Sequence, residues 1–321
     1  MIETRFTRLF DAAAPIQVAA MPDVVTPELV VAVAEAGAVA MLPAPMMSPE
    51  ALGHAIESIS GQTSRAFGVN FLVPFLDPAC VEVAARGARL VEFFYGDPRS
   101  EWVQEVHDAG ALASWQVGSV DEAVAAQDAG CDMVVVQGTE AGGHVRGETS
   151  LFPLLSQVLD RIDVPVVAAG GIATGRDLAA VLACGASGAR LGTRFVASAE
   201  SGAHPDYVRA LVEATAKDTC LTEAFSVMWP NAPHRVLRSS VEAADALAGD
   251  VAGETPLGDQ LVPVQRLSVI CPSKATTGHI EAMALYAGES VSNVHGVLPA
   301  AEIVSQLVSE AEHALAAKLV S

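Results

Sequence analysis

From residue 15 onward, short apolar runs rich in Val, Ile and Ala alternate with longer segments of helical period. That alternation is the mark of repeated strand–helix units around a parallel sheet. Eight runs can be counted: Pro15–Ala20, Ala38–Leu42, Ala66–Phe71, Leu90–Phe94, Ala111–Val117, Asp132–Gln137, Val164–Ala168 and Gly188–Leu191. Helices are predicted between them, among others over Pro27–Ala36, Pro78–Arg86, Ser119–Ala129, Leu151–Arg161 and Thr174–Ala183. Several end in Ala-Gly or Cys-Gly just before the next run, at Gly37, Gly110, Gly130 and Gly185. A glycine past a helix end adopts the left-handed conformation at little cost and turns the chain back. One unit is thus used repeatedly, and eight such units fit a closed (β/α)8 TIM barrel better than a doubly wound sheet.

The pattern changes after Phe195. A helix is predicted over 204–214. The stretch 215–270 then mixes Trp229, prolines, polar turns and the acidic segment Glu242–Glu254, before helices over Gly278–Ala287 and Ala300–Leu319. The expected organisation is a barrel formed by 1–203 with the C-terminal helices of about 276–321, plus a small C-terminal subdomain, 204–275, near the barrel mouth. A lid and a purely structural appendage remain equal readings of that subdomain.

Composition narrows the function classes. Hydrophobic residues make up 51% and charged residues 17%, enough to build a large core. A formal net charge of -20 disfavours nucleic acid, which needs a basic face, and otherwise describes a solvated surface. The N-terminus carries charges where a signal peptide needs an apolar run, and no 18 apolar residues run on uninterrupted. The expectation is a cytoplasmic protein without membrane spans. Five cysteines, widely spaced and without a CxxC pair, read as reduced and mostly buried thiols.

Barrel enzymes place chemistry in the loops at the carboxyl ends of their strands. The sixth run leads into Gly138-Thr139-Glu140-Ala141-Gly142-Gly143-His144-Val145-Arg146-Gly147. Its glycines let backbone approach a ligand, and His144 suits proton transfer. A lone loop histidine is ordinarily a surface or core residue, and it is position that singles out His144. His54, His107 and His313 read as exposed helix residues. The loops after the seventh and eighth runs, Ala169-Gly170-Gly171-Ile172 and Gly192-Thr193-Arg194, can hold a phosphate on backbone amides, although Gly-Gly turns are common in their own right. No GxGxxG, GxxxxGK[ST], HExxH or Cys/His cluster is present, so no metal site is expected. A phosphate-bearing cofactor is then the economical source of chemistry. Pyridoxal phosphate would need a lysine on a strand, and none of the runs has one, which leaves FMN.

Together these segments resemble the nitronate monooxygenase family (2-nitropropane dioxygenases), related to enoyl-acyl carrier protein reductase II. The likeness covers Pro15–Met21, Phe67–Phe71, Gly138–Gly147, Ala168–Ile172, Gly192–Glu200 and Asp218–Arg238. It implies an FMN barrel with His144 beside the flavin as base or polar anchor. Ala20 and Met21 would lie against the ring, Asn70 and Gln116 along the ring or ribityl chain, and Gln137 and Gly138 beside it. Gly170, Gly171, Gly192 and Thr193 would take the phosphate, and Gly142, Gly143 and Ala169 complete the cofactor-binding candidates. The implied reaction is oxidation of a nitronate or similar small anion with O2. An NAD(P)H-dependent reductase of enoyl thioesters or quinones is the first alternative, and a non-catalytic barrel binding a phosphorylated metabolite is the second. Oligomeric state stays open, a homodimer included. Two positions depart from the family: Pro22-Asp23-Val24 stands where relatives carry glycine soon after the methionine, and Glu289 replaces a frequent glutamine.

Overall fold

The structure is a computed structural model describing residues 2–258 and 260–316. Eight parallel strands close into a barrel: β1 (Ile16–Val18), β2 (Val39–Pro43), β3 (Gly68–Leu72), β4 (Leu90–Phe94), β5 (Leu112–Val117), β6 (Met133–Gln137), β8 (Val166–Ala169) and β9 (Gly188–Leu191). Each coincides with one of the eight apolar runs. Between β6 and β8 the chain forms the short strand β7 (Gly143–His144), which lies outside the barrel.

The helices between strands start where the sequence offers caps. Thr26, Ser48, Ser119 and Thr174 each accept a hydrogen bond from the backbone N–H three residues on. Gly37, Gly110, Gly130 and Gly185 all have φ between 83° and 106°, as expected for glycines that end helices. The outer faces of the strands, with residues such as Val69, Val91, Trp115, Val134 and Ala168, pack against these helices in the main core. The alternate positions point inward.

Those inward positions form two layers. At the amino ends of the strands, Val39, Met41, Leu90, Met133, Val135 and Val167 pack against Phe6 and Phe10. The two phenylalanines belong to a helix, Arg5–Phe10, that plugs the barrel floor and that the strand–helix pattern did not predict. Nearer the carboxyl ends the inward residues turn polar: Gln17, Asn70, Glu92, Ser114, Gln116, Gln137 and Arg190 are all buried.

Beyond β9 the chain adds two antiparallel sheets. β10 (Thr219–Thr222) and β11 (His234–Leu237) join β7 in the order β10-β11-β7, while β12 (Val251–Leu257), β13 (Gln260–Gln265) and β14 (Thr277–Gly278) form the second. The predicted helix over 204–214 is present as Pro205–Glu213. The C-terminal helix runs Ala300–Ala316 and packs on Gly175–Ala183 and Pro27–Glu35; the remainder of its predicted span, 317–319, lies outside the described residues. No helix among the described residues is long and apolar enough to cross a membrane.

Two expectations need correction. Gly278–Ala287 is not a helix: β14 ends at Gly278, whose φ is 112°, a single 3-10 turn covers Ile280–Ala282, and the chain then extends. The physical reason is pairing. Met283, Ala284, Leu285 and Ala287 are all buried, Leu237 donates its N–H to the Leu285 carbonyl at 2.9 Å, and Tyr286 bridges antiparallel to Val236. The segment therefore lies beside β11 as an extended edge. His107, in turn, is half-buried and bonds the Asp132 carboxylate at 2.9 Å, whereas His54 and His313 are exposed.

The five cysteines are free thiols; Cys80, Cys131 and Cys271 are buried, Cys220 is half-buried and Cys184 is exposed.

Candidate active site

A cavity of about 230 Å³ opens at the carboxyl ends of the barrel strands. Its walls bring together Ala20, Met21, Asn70, Gln116, Gln137, Gly142, Gly143, His144, Ala169, Gly170, Gly171, Gly192 and Thr193. Gly138 alone among the candidates does not line it. The Gly138 N–H donates to the Ala169 carbonyl at 2.9 Å, and a Cβ there would meet the Leu151 N–H at 2.4 Å, so close backbone packing behind the wall explains that glycine.

The barrel's polar layer sets which atoms of Asn70 and Gln116 are left to a ligand. Arg190 and Glu92 form an ion pair in the barrel centre with side-chain exposures of 4% and 0%. Asn70 donates its amide N–H to Glu92 Oε1 at 2.8 Å, and Arg190 Nη1 donates to Gln116 Oε1 at 2.5 Å. Gln17 Oε1 accepts from Arg190 Nε and Nη2 at 3.0 and 2.8 Å. A carboxylate can only accept and a guanidinium can only donate, so both amide orientations follow. Asn70 keeps its carbonyl oxygen as an acceptor, and Gln116 keeps its NH2 as a donor.

Gln137 follows the same logic. Its NH2 donates to the His144 carbonyl at 3.0 Å, so its oxygen is the free acceptor; that Oε1 is buried and has no partner among the described residues. His144 Nε2 is likewise buried without a partner. Orphaned buried polar atoms are rare in folded proteins and mark places where a ligand or water completes the bonding.

His144 is positioned by sheet formation. β7 pairs antiparallel with β11, His144 opposite His234 and Gly143 opposite Arg235, and the Val145 N–H donates to the Pro233 carbonyl at 2.8 Å. Arg235 fastens the same loop by donating to the Thr139 carbonyl from Nε and Nη2 at 3.0 and 2.8 Å, and it pairs with Glu289 at 3.2 Å. Glu289, one of the two departures from the family, thus has a structural partner. Glu140 is structural as well: its carboxylate accepts the Leu151 N–H at 3.0 Å and caps the following helix, where Ser150 makes no cap bond.

Four rings surround the His144 imidazole. Trp229 stacks on it at 4.0 Å with 24° between planes, and His234, Tyr286 and Tyr95 lie at 5.2, 5.7 and 6.0 Å. Burial, reinforced by neighbouring His234, pushes the His144 pKa down to about 3, so the ring is neutral at physiological pH. His234 Nε2 accepts the Phe225 N–H at 3.2 Å, which makes Nδ1 the donor to the Ala232 carbonyl at 2.9 Å. Both of its nitrogens are occupied, and burial lowers its pKa too.

In the next strand's loop, packed against residues 138–141, Gly170 and Gly171 have φ of 112° and 70°, the left-handed region that favours glycine. Added Cβ atoms would press on the Gly138 carbonyl at 3.1 Å and on the Glu140 Cβ at 3.3 Å. Thr193 Oγ1 accepts the Gly288 N–H at 2.9 Å, which leaves its hydroxyl proton to donate. Buried Ser290 lines the same region.

The mouth is apolar, with Phe75, Ile270 and two exposed methionines, Met46 and Met228, whose φ values of 57° and 78° are unusual for non-glycine residues.

Sequence reasoning missed Arg190, Glu92, Tyr95, Trp229, His234, Tyr286 and Ser290. For the first two a signal existed: single opposite charges, each at an inward position of an otherwise apolar strand.

Comparison with known proteins fits this geometry. The family model described as nitronate monooxygenase matches residues 3–85 and 79–310. A 5-hydroxy-7a-methyl-1-oxo-octahydro-1H-indene-4-carboxyl-CoA dehydrogenase of Rhodococcus jostii is 33% identical, over 78% of this chain and 70% of its own. A probable nitronate monooxygenase of Staphylococcus saprophyticus is 32% identical, over 70% and 77%. Among solved structures, FabK from Thermotoga maritima superposes with a TM-score of 0.81 at 30% identity, covering 98% of this chain and 97% of its own. A nitroalkane oxidase from Streptomyces ansochromogenes gives 0.79 at 30%, covering 96% and 98%. With the matched model spanning nearly the whole barrel and the accessory sheets, the chain belongs to the nitronate monooxygenase family of oxidoreductases.

Proposed function

We propose that the protein is an FMN-dependent oxidoreductase that oxidises a nitronate or similarly stabilised small anion, with O2 as the final electron acceptor. The observation that carries this reading is one cavity whose lining joins two residues with orphaned polar atoms, Gln137 (Oε1) and His144 (Nε2), to the left-handed glycines Gly170 and Gly171. The residues fit FMN: a ring needs both donors and acceptors, which Gln116, Asn70 and Gln137 supply, and a phosphate needs unhindered amides, which Gly170, Gly171 and Gly192 supply beside the Thr193 hydroxyl. When bound, FMN supplies a two-electron acceptor that O2 can reoxidise.

The chain's own contribution is binding, orientation and exclusion of water. A neutral His144 acts as a hydrogen-bonding anchor for a substrate oxygen rather than as a strong base, because its imidazole resists protonation down to about pH 3. Trp229, Tyr95 and Tyr286 shield that hydrogen bond from bulk solvent, and in a low-dielectric setting it gains strength. The Arg190–Glu92 pair holds Asn70 and Gln116 in fixed orientations, so binding a cofactor need not order them.

The test is a comparison of electron donors under anaerobic conditions. Ethylnitronate is expected to bleach the flavin band at least about tenfold faster than NADH or NADPH, a difference of about 1.4 kcal/mol in barrier. Faster bleaching by either nicotinamide would transfer the assignment to the reductase alternative.

A further inference from the structure

A second cleft, of about 430 Å³, shares no lining residue with the active cavity. It forms where the C-terminal helix meets the start of the helix Gly175–Ala183 and the segment 293–298. Arg194 lines it. This residue follows Thr193 in the four-residue helix Thr193–Val196, so a single turn presents Thr193 to the active cavity and Arg194 to the cleft.

Arg194 is only 7% exposed, yet a single hydrogen bond holds its guanidinium: Nη1 donates to the Gly296 carbonyl at 3.4 Å, long for such a bond. No carboxylate forms an ion pair with it among the described residues. Desolvation holds its pKa below the ordinary value, against the opposing pull of Glu302, but a guanidinium stays charged in a folded protein. A buried cation with five N–H donors and one long bond is costly unless a partner completes it.

The rest of the cleft defines the partner's chemistry. At the neighbouring helix start, Ala173 and Thr174 donate their N–H groups to Asp177 Oδ2 at 3.0 and 2.9 Å, and Gly175 donates to Glu310 Oε2 at 2.9 Å. Those amides are taken, which leaves Arg194 as the charged donor. Ala173, Leu298, Ile303 and Leu307 supply an apolar wall, and His295 and Asn293 stand on the exposed rim. Two exposed carboxylates border the site: Glu310 lines it, and Glu302, which accepts from Gln306 Nε2 at 3.0 Å, lies close enough to act on Arg194. Neither touches the guanidinium, but both oppose a second negative charge on a ligand.

We propose that this cleft is a second binding site, which takes a small monocarboxylate with its carboxylate on the Arg194 guanidinium and its apolar tail along Leu298, Ile303 and Leu307. A planar carboxylate matches the guanidinium fork with two parallel hydrogen bonds. The site lies outside the active cavity and is independent of the substrate that cavity takes.

The probes are hexanoate, its neutral counterpart hexanamide, and hexyl phosphate, which carries close to two charges at about pH 8. Binding to the protein as isolated is followed by ligand-observed NMR titration. Hexanoate is expected to bind with a Kd on the order of 1 mM, and the other two at least about tenfold more weakly. Arg194→Met, which removes an unpaired buried charge and should fold at least as stably, is expected to weaken hexanoate binding at least about tenfold. Gln306 is exposed on the cleft wall and does not line the active cavity, so its variants locate the ligand without touching the buried cation. Gln306→Glu should weaken hexanoate binding about threefold, and Gln306→Lys should strengthen it by about as much. Equal affinity for hexanoate and hexanamide, tighter binding of hexyl phosphate, an affinity that none of the three variants changes, or no binding of hexanoate below about 10 mM would each overturn the proposal.

Discussion

Replacing His144 by alanine is expected to slow reduction of bound flavin by nitronate about 10²- to 10³-fold, the usual cost of losing one hydrogen-bonding group aimed at developing charge, while FMN remains bound. The loop should keep its shape, because β7 is held by backbone pairing with β11 and by Arg235, not by the imidazole. Stopped-flow reduction and the visible spectrum separate the two effects. Release of FMN from the variant, or an unchanged reduction rate, would place His144 among structural residues.

The largest stability effect is expected at the barrel centre. Glu92→Leu should destabilise the fold by about 3–5 kcal/mol, because it leaves the Arg190 guanidinium buried and unpaired. Arg190→Met should cost a similar amount by stranding the Glu92 carboxylate. The double variant should recover most of the loss, since a buried pair replaced by apolar groups of similar volume is often near neutral. Denaturant midpoints for the four proteins give the coupling directly, and additive losses would show that the charges do not depend on each other. The double variant should nonetheless bind FMN poorly, as Asn70 and Gln116 lose the partners that orient them.

The barrel was legible because its signals are local. Each apolar run became a strand, and Gly37, Gly110, Gly130 and Gly185 became left-handed turns. The glycine loops were legible for the same reason, and they place His144 beside Gly170 and Gly171 at one cavity. What escaped was long-range. Met283–Ala287 has the composition of a helix, yet its backbone pairs with β11, and that pairing carries Tyr286 to His144. Trp229 reaches the same imidazole from a loop 85 positions further along the chain. Gly138 sits in the most specific motif of the chain, but its glycine answers to the Leu151 backbone and not to the cavity. Asp23 shows the converse, since a departure from the family pattern proved to be a charged side chain held in the conformation that a glycine would take freely.

The cavity is shaped for a flavin that carries a phosphate, with Gly170, Gly171, Gly192 and Thr193 in its lining. Titrating cofactor-free protein with FMN and with riboflavin, followed by quenching of flavin fluorescence, tests it most directly. FMN is expected to bind at least about 100-fold more tightly, a difference of about 2.7 kcal/mol that amide and hydroxyl donors to a phosphate can supply. Equal affinity for the two flavins, or binding of neither, would contradict it.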